Sequence, residues 1–337
     1  MEIKVNASKN YSVVIEKSLS KLNNYLSIIK GDKVAIITDS NVEKLYGNVL
    51  DNYIATKTIF HYTLPSGEEN KSENKYFEIL NFLAENNFKR NDTIIAFGGG
   101  VTGDLSGFVS STYMRGITFI NIPTTLLSMV DSSVGGKTAI NLKSGKNLVG
   151  TFYQPALVYI CLDFLKTLSE REILSGMGEV FKYIFILGLL NKQDVLDGIN
   201  ENLIYKCIKI KQQIVENDEK ESGERKLLNF GHTIGHAIEK ASNYLLSHGE
   251  CVLKGINLAI EFSYKKGFLS AEKYNEAKEI IKLSKADLSN PFSKEDLIKY
   301  LKNDKKGDGE YVDFIVIDNT LLSKIEKVKL QELYSII

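Results

Sequence analysis

The first half of the chain alternates short apolar runs with segments of helical periodicity, and this alternation restricts the possible folds most strongly. The runs are short, rich in β-branched residues and end in polar or turn residues, as buried strands do. They are KVAIITD (33–39), KTIFHYTL (57–64), DTIIAFGGG (92–100) and ITFINIPTT (117–125). Repeated βαβ units place such strands in a parallel sheet, so we predict an α/β domain over residues 1–163. EIKV and YSVVIE can add an N-terminal hairpin.

The pattern changes after about residue 163, and long segments of helical periodicity follow. No convincing strand appears until YVDFIVID (311–318). We therefore predict a mainly α-helical domain over residues 164–337, joined to the first near YQPALVYICLDF. Because α/β proteins bind ligands at the carboxyl ends of their strands, we expect the ligand site in a cleft between the two domains.

Composition argues against several classes of protein. The 42 basic and 42 acidic residues cancel, which gives no support for nucleic acid or an anionic membrane as a partner. The most apolar window, VFKYIFILGLL, is too short to span a bilayer, and the N-terminus has no apolar core of the signal-peptide type. Three widely spaced cysteines argue against a disulfide framework, so we expect a cytoplasmic protein.

A glycine-rich turn, FGGGVTGD, follows the third predicted strand and contains Gly98-x-Gly100-x-x-Gly103. Glycines there let the backbone approach a phosphate, and the helix N-terminus favours an anion, but a plain tight turn would show the same pattern. No acid stands about 20 residues downstream to bind a ribose, so Asp39 from a neighbouring strand is the alternative. Asp104 would repel a pyrophosphate unless it bonds another group.

A second glycine-rich segment, SSVGGKT, superficially resembles a phosphate-binding P-loop. The required first glycine is replaced by Asp131, so we exclude triphosphate binding there. Asp131 and Lys137 remain as an acid and an ammonium close together in sequence. They suit substrate binding, although an ordinary solvated loop would contain the same residues.

Three of the four histidines, His232, His236 and His248, lie within seventeen positions. Neutral imidazoles bind zinc and similar ions, and catalytic sites commonly have three protein ligands. HTIGH lacks the glutamate of the metalloprotease motif. Helical spacing alone nominates His232 and His236 as two ligands, with His248 or Glu179 as the third. The alternative is that these are unrelated polar groups.

Further charged residues stand in the same half of the chain. Glu179 and Lys182 are three residues apart on an apolar helix, which indicates either a surface stripe or a buried site. Lys211, Arg225 and Asn229 follow. Arginine suits bidentate binding of carboxylate or phosphate, so Arg225 is the candidate within the charged segment ENDEKESGERK.

Five sequence blocks occur in a set order: PSGEENK, FGGGVTGDLSGFVSSTYMRGI, IPTTLLSMVDSSVGGKTAINLKSGKNLVGTFYQP, SGMGEVFKYI and LLNFGHTIGHAIE. Together they make the chain resemble the 3-dehydroquinate synthase family over nearly its whole length. Related sugar-phosphate cyclases share much of this set, and metal-dependent polyol dehydrogenases share it more distantly. The resemblance implies a homodimer that binds NAD and a divalent metal, zinc or cobalt.

The resemblance also implies a reaction, the conversion of 3-deoxy-D-arabino-heptulosonate 7-phosphate to 3-dehydroquinate and phosphate in the shikimate pathway. Transient oxidation by NAD, β-elimination of phosphate, reduction, ring opening and an intramolecular aldol step would follow one another. The alternatives are another sugar-phosphate cyclase, a polyol dehydrogenase, and a non-catalytic protein that binds NAD or metal.

Carried over by motif, the metal ligands would be Glu179, His232 and His248, while His236 would face the substrate phosphate. Arg115 would reach the site of the neighbouring subunit, and a lysine of NDKKGDG would also contact substrate, with Lys305 favoured over Lys306. The other substrate contacts would be Asp131, Lys137, Asn147, Lys182, Lys211, Arg225 and Asn229. The NAD contacts would be Asp39, Ser66, Gly67, Glu68, Glu69, Asn70, Lys71, Gly100, Val101, Thr102, Gly103, Asp104, Thr124, Thr125, Lys137, Lys146, Phe164 and Thr167.

Overall fold

The computed structural model describes residues 1–303 and 310–337, which form two compact units, Met1–Leu168 and Ser169–Ile337. The division falls a few residues after the boundary expected at residue 163. The short helical segment Leu162–Thr167 thus belongs to the first unit.

The first unit is built around strands and three α-helices. The strands are β1 (Glu2–Val5), β2 (Tyr11–Glu16), β3 (Lys33–Asp39), β4 (Thr58–Leu64), β5 (Thr93–Gly98), β6 (Thr118–Pro123), β7 (Lys137–Leu142), β8 (Gly145–Phe152) and β9 (Leu157–Cys161). The α-helices are α1 (Ser40–Tyr46), α2 (Glu73–Glu85) and α3 (Gly100–Thr112). Short helical turns occupy Leu19–Ile28, Asp51–Tyr53, Glu68–Asn70, Tyr113–Arg115 and Ser128–Ser132.

Seven of these strands form one sheet in the order β1-β2-β9-β6-β5-β3-β4. All neighbours run parallel except β1 and β2, which form the antiparallel N-terminal hairpin. The predicted parallel α/β sheet is therefore confirmed. Strand β4 lies on one side of β3, and the next strand along the chain, β5, lies on the other side. The strand order therefore reverses at the carboxyl ends of β3 and β5. Ligands of open α/β sheets bind at such a reversal.

Two elements differ from the sequence-based expectation. The segment YQPALVYICLDF, expected as the domain junction, contains β9, whose five residues are all buried between β2 and β6. Strands β7 and β8 form a separate antiparallel hairpin that the sequence analysis did not identify. Most of β8 is exposed and contains two glycines, so it lacks the alternating apolar pattern that marks a strand.

The second unit is mainly helical, as predicted. Its helices are α4 (Glu170–Ile184), α5 (Lys192–Leu196), α6 (Glu201–Asn217), α7 (His232–Ala241), α8 (His248–Lys265), α9 (Ala271–Lys282) and α10 (Lys294–Asn303). The strand expected at 311–318 is β10 (Tyr311–Ile317), which pairs antiparallel with β11 (Ser323–Lys329). Short helical turns span Glu224–Asn229 and Leu330–Ser335. Within the described ranges, no helix combines the length and apolarity needed to cross a bilayer.

Glycines allow α4, α7 and α8 to pack with their backbones in contact. A Cβ atom added to Gly249 would lie 1.9 Å from the carbonyl oxygen of Ser175 in α4. One added to Gly255 would lie 2.0 Å from the carbonyl oxygen of Gly231, just before α7. Because backbone atoms cannot rotate away, any side chain at these positions would force the helices apart.

Gly231 and Gly198 provide a matched test of this packing. Both have positive φ, 79° and 81°, so alanine at either position meets the same left-handed strain, roughly 1–2 kcal/mol. At Gly231 an added Cβ would lie 2.5 Å from Ile256 Cγ1 and 2.8 Å from Ile256 N, whereas at Gly198 nothing lies within 4 Å. We expect Gly231→Ala to lower the free energy of unfolding by about 1–3 kcal/mol more than Gly198→Ala, measured by urea denaturation. Equal losses would show that the helix contact can relax.

Candidate active site

The carboxyl ends of β3 and β5 gather the first set of predicted site residues. Asp39 ends β3 and caps α1, where its Oδ1 accepts the backbone N–H groups of Asn41 at 2.9 Å and Val42 at 3.2 Å. The hydroxyl of Thr102 donates to Asp39 Oδ2 at 3.5 Å. Gly98 ends β5, and α3 begins two residues later without a capping side chain among the described residues. The first N–H groups of α3 are therefore suited to an anion.

Asp104 is accompanied by a buried lysine, which removes the objection to a carboxylate in this turn. Lys71 is 3% exposed and forms a short ion pair with Asp104, and it also donates to Asn147 Oδ1 at 2.6 Å. The amide of Asn141 donates to Glu68 Oε1 at 2.8 Å and its Oδ1 accepts from Asn147 N at 2.9 Å. One network thus joins the predicted NAD residues of the 68–71 turn to the predicted substrate residue Asn147.

The remaining predicted NAD residues are distributed over neighbouring strand ends. Ser66 lies after β4, and its N–H donates to Ser40 Oγ at the start of α1 at 3.1 Å. Thr124 N donates to the carbonyl oxygen of Gly98 at 2.9 Å. The Tyr46 ring lies 4.8 Å from that of Phe164, and the Tyr46 hydroxyl lies 2.6 Å from Thr167 Oγ1. The first turn of α3 contains Gly100, Val101, Thr102 and Gly103, the turn after β4 contains Gly67, Glu69 and Asn70, Thr125 follows Thr124, and Lys146 lies in β8.

The segment that superficially resembles a P-loop is not one in the structure. Lys137 and Thr138 begin the strand β7, whereas the lysine and hydroxyl residue of a P-loop open a helix. This geometry agrees with the prediction that the segment is not a P-loop. Asp131 lies in the helical turn Ser128–Ser132 that precedes Lys137.

The second unit contains a group formed by one carboxylate and two imidazoles, of which Glu179 and His232 are buried and His248 is half-buried. Glu179, in α4, is 1% exposed. Its Oε1 lies 3.3 Å from Nε2 of His232, the first residue of α7, and 3.1 Å from Nε2 of His248, the first residue of α8. Lys182, one turn further along α4, forms a short buried ion pair with the same carboxylate. Two imidazole nitrogens and one carboxylate oxygen are the ligand set of a three-ligand catalytic zinc site.

Helical spacing alone had paired His232 with His236, but the structure brings His232 together with Glu179 and His248. The candidate ligand atoms of these three residues all lie within 4.8 Å of one another. His236 stands one turn along α7, with its ring centroid 5.3 Å from that of His232 and 5.8 Å from that of His248. A further group of this kind among the described residues contains His236, Glu239 and His248.

Glu179 and His248 each favour their charged form in this group. Burial alone would raise the pKa of Glu179, but the Lys182 ammonium and the imidazoles of His232 and His248 outweigh it and hold that pKa well below its usual range. Burial would lower the pKa of His248, yet hydrogen bonding to Glu179 and Glu239 raises it to about 10. Positive charge is therefore favoured beside the Glu179 carboxylate, as a cation site requires.

Arg225 is also buried in the second unit, at 1% exposure, within the short helical segment Glu224–Asn229. Its Nη1 makes a short hydrogen bond to the carbonyl oxygen of Glu219. Asn229 Nδ2 donates to Glu221 Oε1 at 2.8 Å. Lys211 is buried in α6. The charged segment ENDEKESGERK is therefore not simply a solvated coat, because it folds around a buried guanidinium.

Asp218 organises this loop, although no motif in the sequence marks it. Its Oδ2 accepts the backbone N–H groups of Gly223 at 2.7 Å and Arg225 at 3.1 Å, and its Oδ1 accepts that of Ser222 at 2.9 Å. Burial alone would raise the pKa of Asp218, but these backbone hydrogen bonds outweigh it and lower the pKa to about 2. The carboxylate thus anchors the turn that precedes Arg225.

One predicted residue of the first unit stands apart from these groups. Arg115 is exposed, has φ 62°, and ends the turn Tyr113–Arg115. Lys305, like Lys306, lies outside the described residues.

Asp218→Asn tests the loop through the pH dependence of stability. A carboxylate whose pKa is lowered by folding stabilises the protein above its unfolded pKa, here 3.8, and this contribution is lost as pH falls through about 2. We expect the wild type to exceed Asp218→Asn in unfolding free energy at pH 6, with the difference shrinking as pH falls below 4. Asp197→Asn, which alters a carboxylate that accepts a side-chain hydrogen bond from Gln193, is the control. A difference that grows toward acid would contradict this role.

Comparison with known proteins agrees with this geometry. Residues 61–175 match the family described as 3-dehydroquinate synthase N-terminal, and residues 176–307 match 3-dehydroquinate synthase C-terminal. The chain is 42% identical over 301 residues to a 3-dehydroquinate synthase of Alkaliphilus metalliredigens, covering 85% of this chain and 83% of that protein. It is 41% identical over 348 residues to that of Clostridium acetobutylicum, covering 96% and 95%.

Solved structures show the same fold. A 2-deoxy-scyllo-inosose synthase complexed with carbaglucose-6-phosphate, NAD+ and Co2+ has a TM-score of 0.92 and 24% identity, covering 100% of this chain and 99% of that one. A 2-epi-5-epi-valiolone synthase from Streptomyces hygroscopicus with NAD+ and Zn2+ bound has a TM-score of 0.87 and 22% identity, covering 99% and 98%. An iron-containing alcohol dehydrogenase of Thermotoga maritima has a TM-score of 0.66 and 14% identity, covering 98% of each chain.

The fold is thus the one shared by sugar-phosphate cyclases and, more distantly, by iron-containing alcohol dehydrogenases. Both halves of the chain match one family within this group, at about 40% identity to its members over most of their length. The chain belongs to the 3-dehydroquinate synthase family, as the five sequence blocks indicated.

Proposed function

We propose that the protein is a 3-dehydroquinate synthase that converts 3-deoxy-D-arabino-heptulosonate 7-phosphate to 3-dehydroquinate and phosphate, with NAD and a divalent metal as cofactors. Apart from the family, the observation that carries the proposal is the group Glu179, His232 and His248 in a unit that buries Lys182, Lys211 and Arg225. Ammonium and guanidinium groups bind carboxylates and phosphates. The proposed substrate brings both a carboxylate and a phosphate.

Glu179, His232 and His248 would hold the metal, since their ligand atoms all lie within 4.8 Å of one another. When bound, a divalent cation lowers the pKa of a substrate hydroxyl by Lewis acidity and makes that carbon easier to oxidise. Lys182 lies against the same carboxylate and would place a positive charge beside the ligand set. The Co2+ and Zn2+ named for the two cyclase structures support this assignment.

The strand ends of the first unit would bind NAD, which supplies a hydride acceptor that is regenerated within each turnover. Asp39, at the end of β3, suits a ribose hydroxyl, and the uncapped start of α3 suits the pyrophosphate. Lys71 neutralises Asp104, so this acid need not repel the phosphates. Both cyclase structures contain NAD+, which supports the proposal.

The substrate's two anionic ends would be recognised by different residues. Arg225 offers a guanidinium that can bind the carboxylate in bidentate fashion. Asp218 accepts the backbone N–H of Arg225 and so orders the backbone at that residue. His236, half-buried beside the proposed ligands, would face the phosphate. The substrate phosphate can itself take the proton during its elimination, so the proposal requires no dedicated protein base.

We also propose a cytoplasmic homodimer in which Arg115 reaches the site of the partner subunit. Strand β8 has three exposed apolar side chains, Leu148, Val149 and Phe152, of the kind that a second subunit covers. Tyr153, which follows β8, donates its hydroxyl hydrogen to the carbonyl oxygen of Ile117, two residues after Arg115. The exposed strand and the exposed arginine are thus neighbours in the first unit.

Incubation with the heptulosonate phosphate, NAD and either zinc or cobalt tests the reaction directly. We expect phosphate and 3-dehydroquinate to form in equal amounts without accumulation of NADH. NADH formation in step with substrate consumption would indicate a polyol dehydrogenase instead. Turnover of glucose 6-phosphate or sedoheptulose 7-phosphate, which lack the carboxylate, would indicate another cyclase.

Retention of full heptulosonate activity by Arg225→Ala would show that the proposed carboxylate contact is wrong.

His232→Ala and His236→Ala separate the two roles proposed for neighbouring histidines of α7. We expect His232→Ala to lose more than about 100-fold in metal affinity, because a direct ligand matters more than the outer partners whose loss costs roughly 10–100-fold. His236→Ala should retain the metal and lose turnover. His61→Ala, which alters the remaining histidine, paired with Asp51 in the first unit, is the control. Metal analysis after dialysis and product assays measure both effects, and metal loss from both α7 variants would make His236 a ligand.

A further inference from the structure

Glu239 is a buried carboxylate next to the proposed metal ligands. It lies on α7, seven residues after His232 and three after His236, so all three side chains project from one helical face. Glu239 is 8% exposed. Its Oε2 lies 3.4 Å from Nδ1 of His248, the ring that approaches Glu179 with its other nitrogen.

Both histidines of the Glu179 group are held in the same way. Nδ1 of His232 lies 3.2 Å from the carbonyl oxygen of Phe230, while its Nε2 approaches Glu179. His248 likewise directs Nε2 to Glu179 and turns Nδ1 to an oxygen, here that of Glu239. In each case a hydrogen on Nδ1 satisfies the oxygen, so Nε2 is the nitrogen left to bind a cation together with Glu179.

We propose that Glu239 is a positioning residue for His248, which accepts the Nδ1 hydrogen and so keeps the Nε2 lone pair available to a divalent cation. The inference rests on the proposed metal site of Glu179, His232 and His248. Histidine ligands of metals generally donate their other ring hydrogen to a carboxylate or carbonyl oxygen, which fixes the ring and raises its basicity. Here the Glu239 carboxylate acts on one ligand and the Phe230 carbonyl on the other.

Charge balance supports the same role. A divalent cation bound by one carboxylate and two neutral imidazoles retains one positive charge, in addition to that of the neighbouring Lys182. A second carboxylate in contact with a ligand offsets part of this charge where burial weakens solvation. Glu239 provides it without occupying a position in the ligand set.

The competing interpretation is that Glu239 is itself a ligand, since His236, Glu239 and His248 also have ligand atoms within 4.8 Å of one another. The orientation of the His248 ring argues against direct ligation by Glu239. Glu239 faces Nδ1, whereas Glu179 faces Nε2. Nε2 of His232 is also directed at Glu179. A cation shared with Glu179 and His232 therefore meets His248 from the side opposite Glu239.

Metal affinity of Glu239→Ala and Glu239→Gln tests the proposal, with Glu261→Gln as the matched control. Glu261 lies on α8, the helix that begins with His248, and accepts a hydrogen bond from the Tyr274 hydroxyl at 2.7 Å. Competition of Co2+ between each protein and a chelator gives the affinity, and the visible absorption of bound Co2+ reports its ligand geometry. Urea unfolding of each metal-free variant shows whether the fold is retained.

We expect Glu239→Ala to bind Co2+ about 10–100-fold more weakly, with an altered Co2+ spectrum. Glu239→Gln should recover part of this loss, because the amide oxygen can still accept the Nδ1 hydrogen, and Glu261→Gln should match the wild type. Wild-type affinity and spectrum in Glu239→Ala would overturn the positioning role and leave the proposed function standing. Loss in Glu239→Gln as complete as in Glu239→Ala would also overturn it, in favour of direct ligation. Failure of the wild type to bind Co2+ would refute the metal site and this role together.

Discussion

The close backbone contact of three helices is the constraint on which the second unit depends. Gly249 of α8 leaves no room for a side chain against α4, and Gly255 of α8 leaves none against the turn before α7. These contacts hold the first residues of α7 and α8, His232 and His248, beside Glu179 of α4. Wider helix spacing would separate the carboxylate from the imidazoles, so small residues in the packing decide the chemistry of the site.

Each of the two proposed sites contains an ion pair with a buried lysine. In a chain of zero formal net charge, Lys71 pairs with Asp104 in the first unit and Lys182 pairs with Glu179 in the second. Each buried ion loses its hydration, and attraction to one partner does not always repay that loss. Such pairs are therefore poor devices for stability alone. The Lys71–Asp104 pair lies at a glycine-rich strand end, where an anionic cofactor would bind. The Lys182–Glu179 pair lies beside two imidazoles, where a divalent cation would bind.

Periodicity in the sequence was sufficient for elements that bury one continuous apolar surface. Strands β3, β5 and β6 were predicted because they are short apolar runs that end in polar or turn residues. Helices α4, α6, α7 and α8 were predicted because their apolar residues recur with the period of a helix. Strand β9 was not predicted because it is only five residues long and begins two residues after Pro155. The β7–β8 hairpin was missed because β8 is mostly exposed and contains two glycines, which hides any strand pattern.

The sequence by itself determined the family, the parallel sheet and the helical unit, since these follow from local periodicity and from motifs contiguous along the chain. It also placed His232 and His236 on one helical face, because i and i+4 positions are fixed by helix geometry. Only the tertiary structure decided which side chains meet. His232 is joined by Glu179 from 53 positions earlier and His248 from 16 later, with Glu239 behind His248. Lys71 and Asp104, which form an ion pair, are also far apart along the sequence. Helix crossing and sheet order bring such residues together, and neither leaves a local pattern in the sequence.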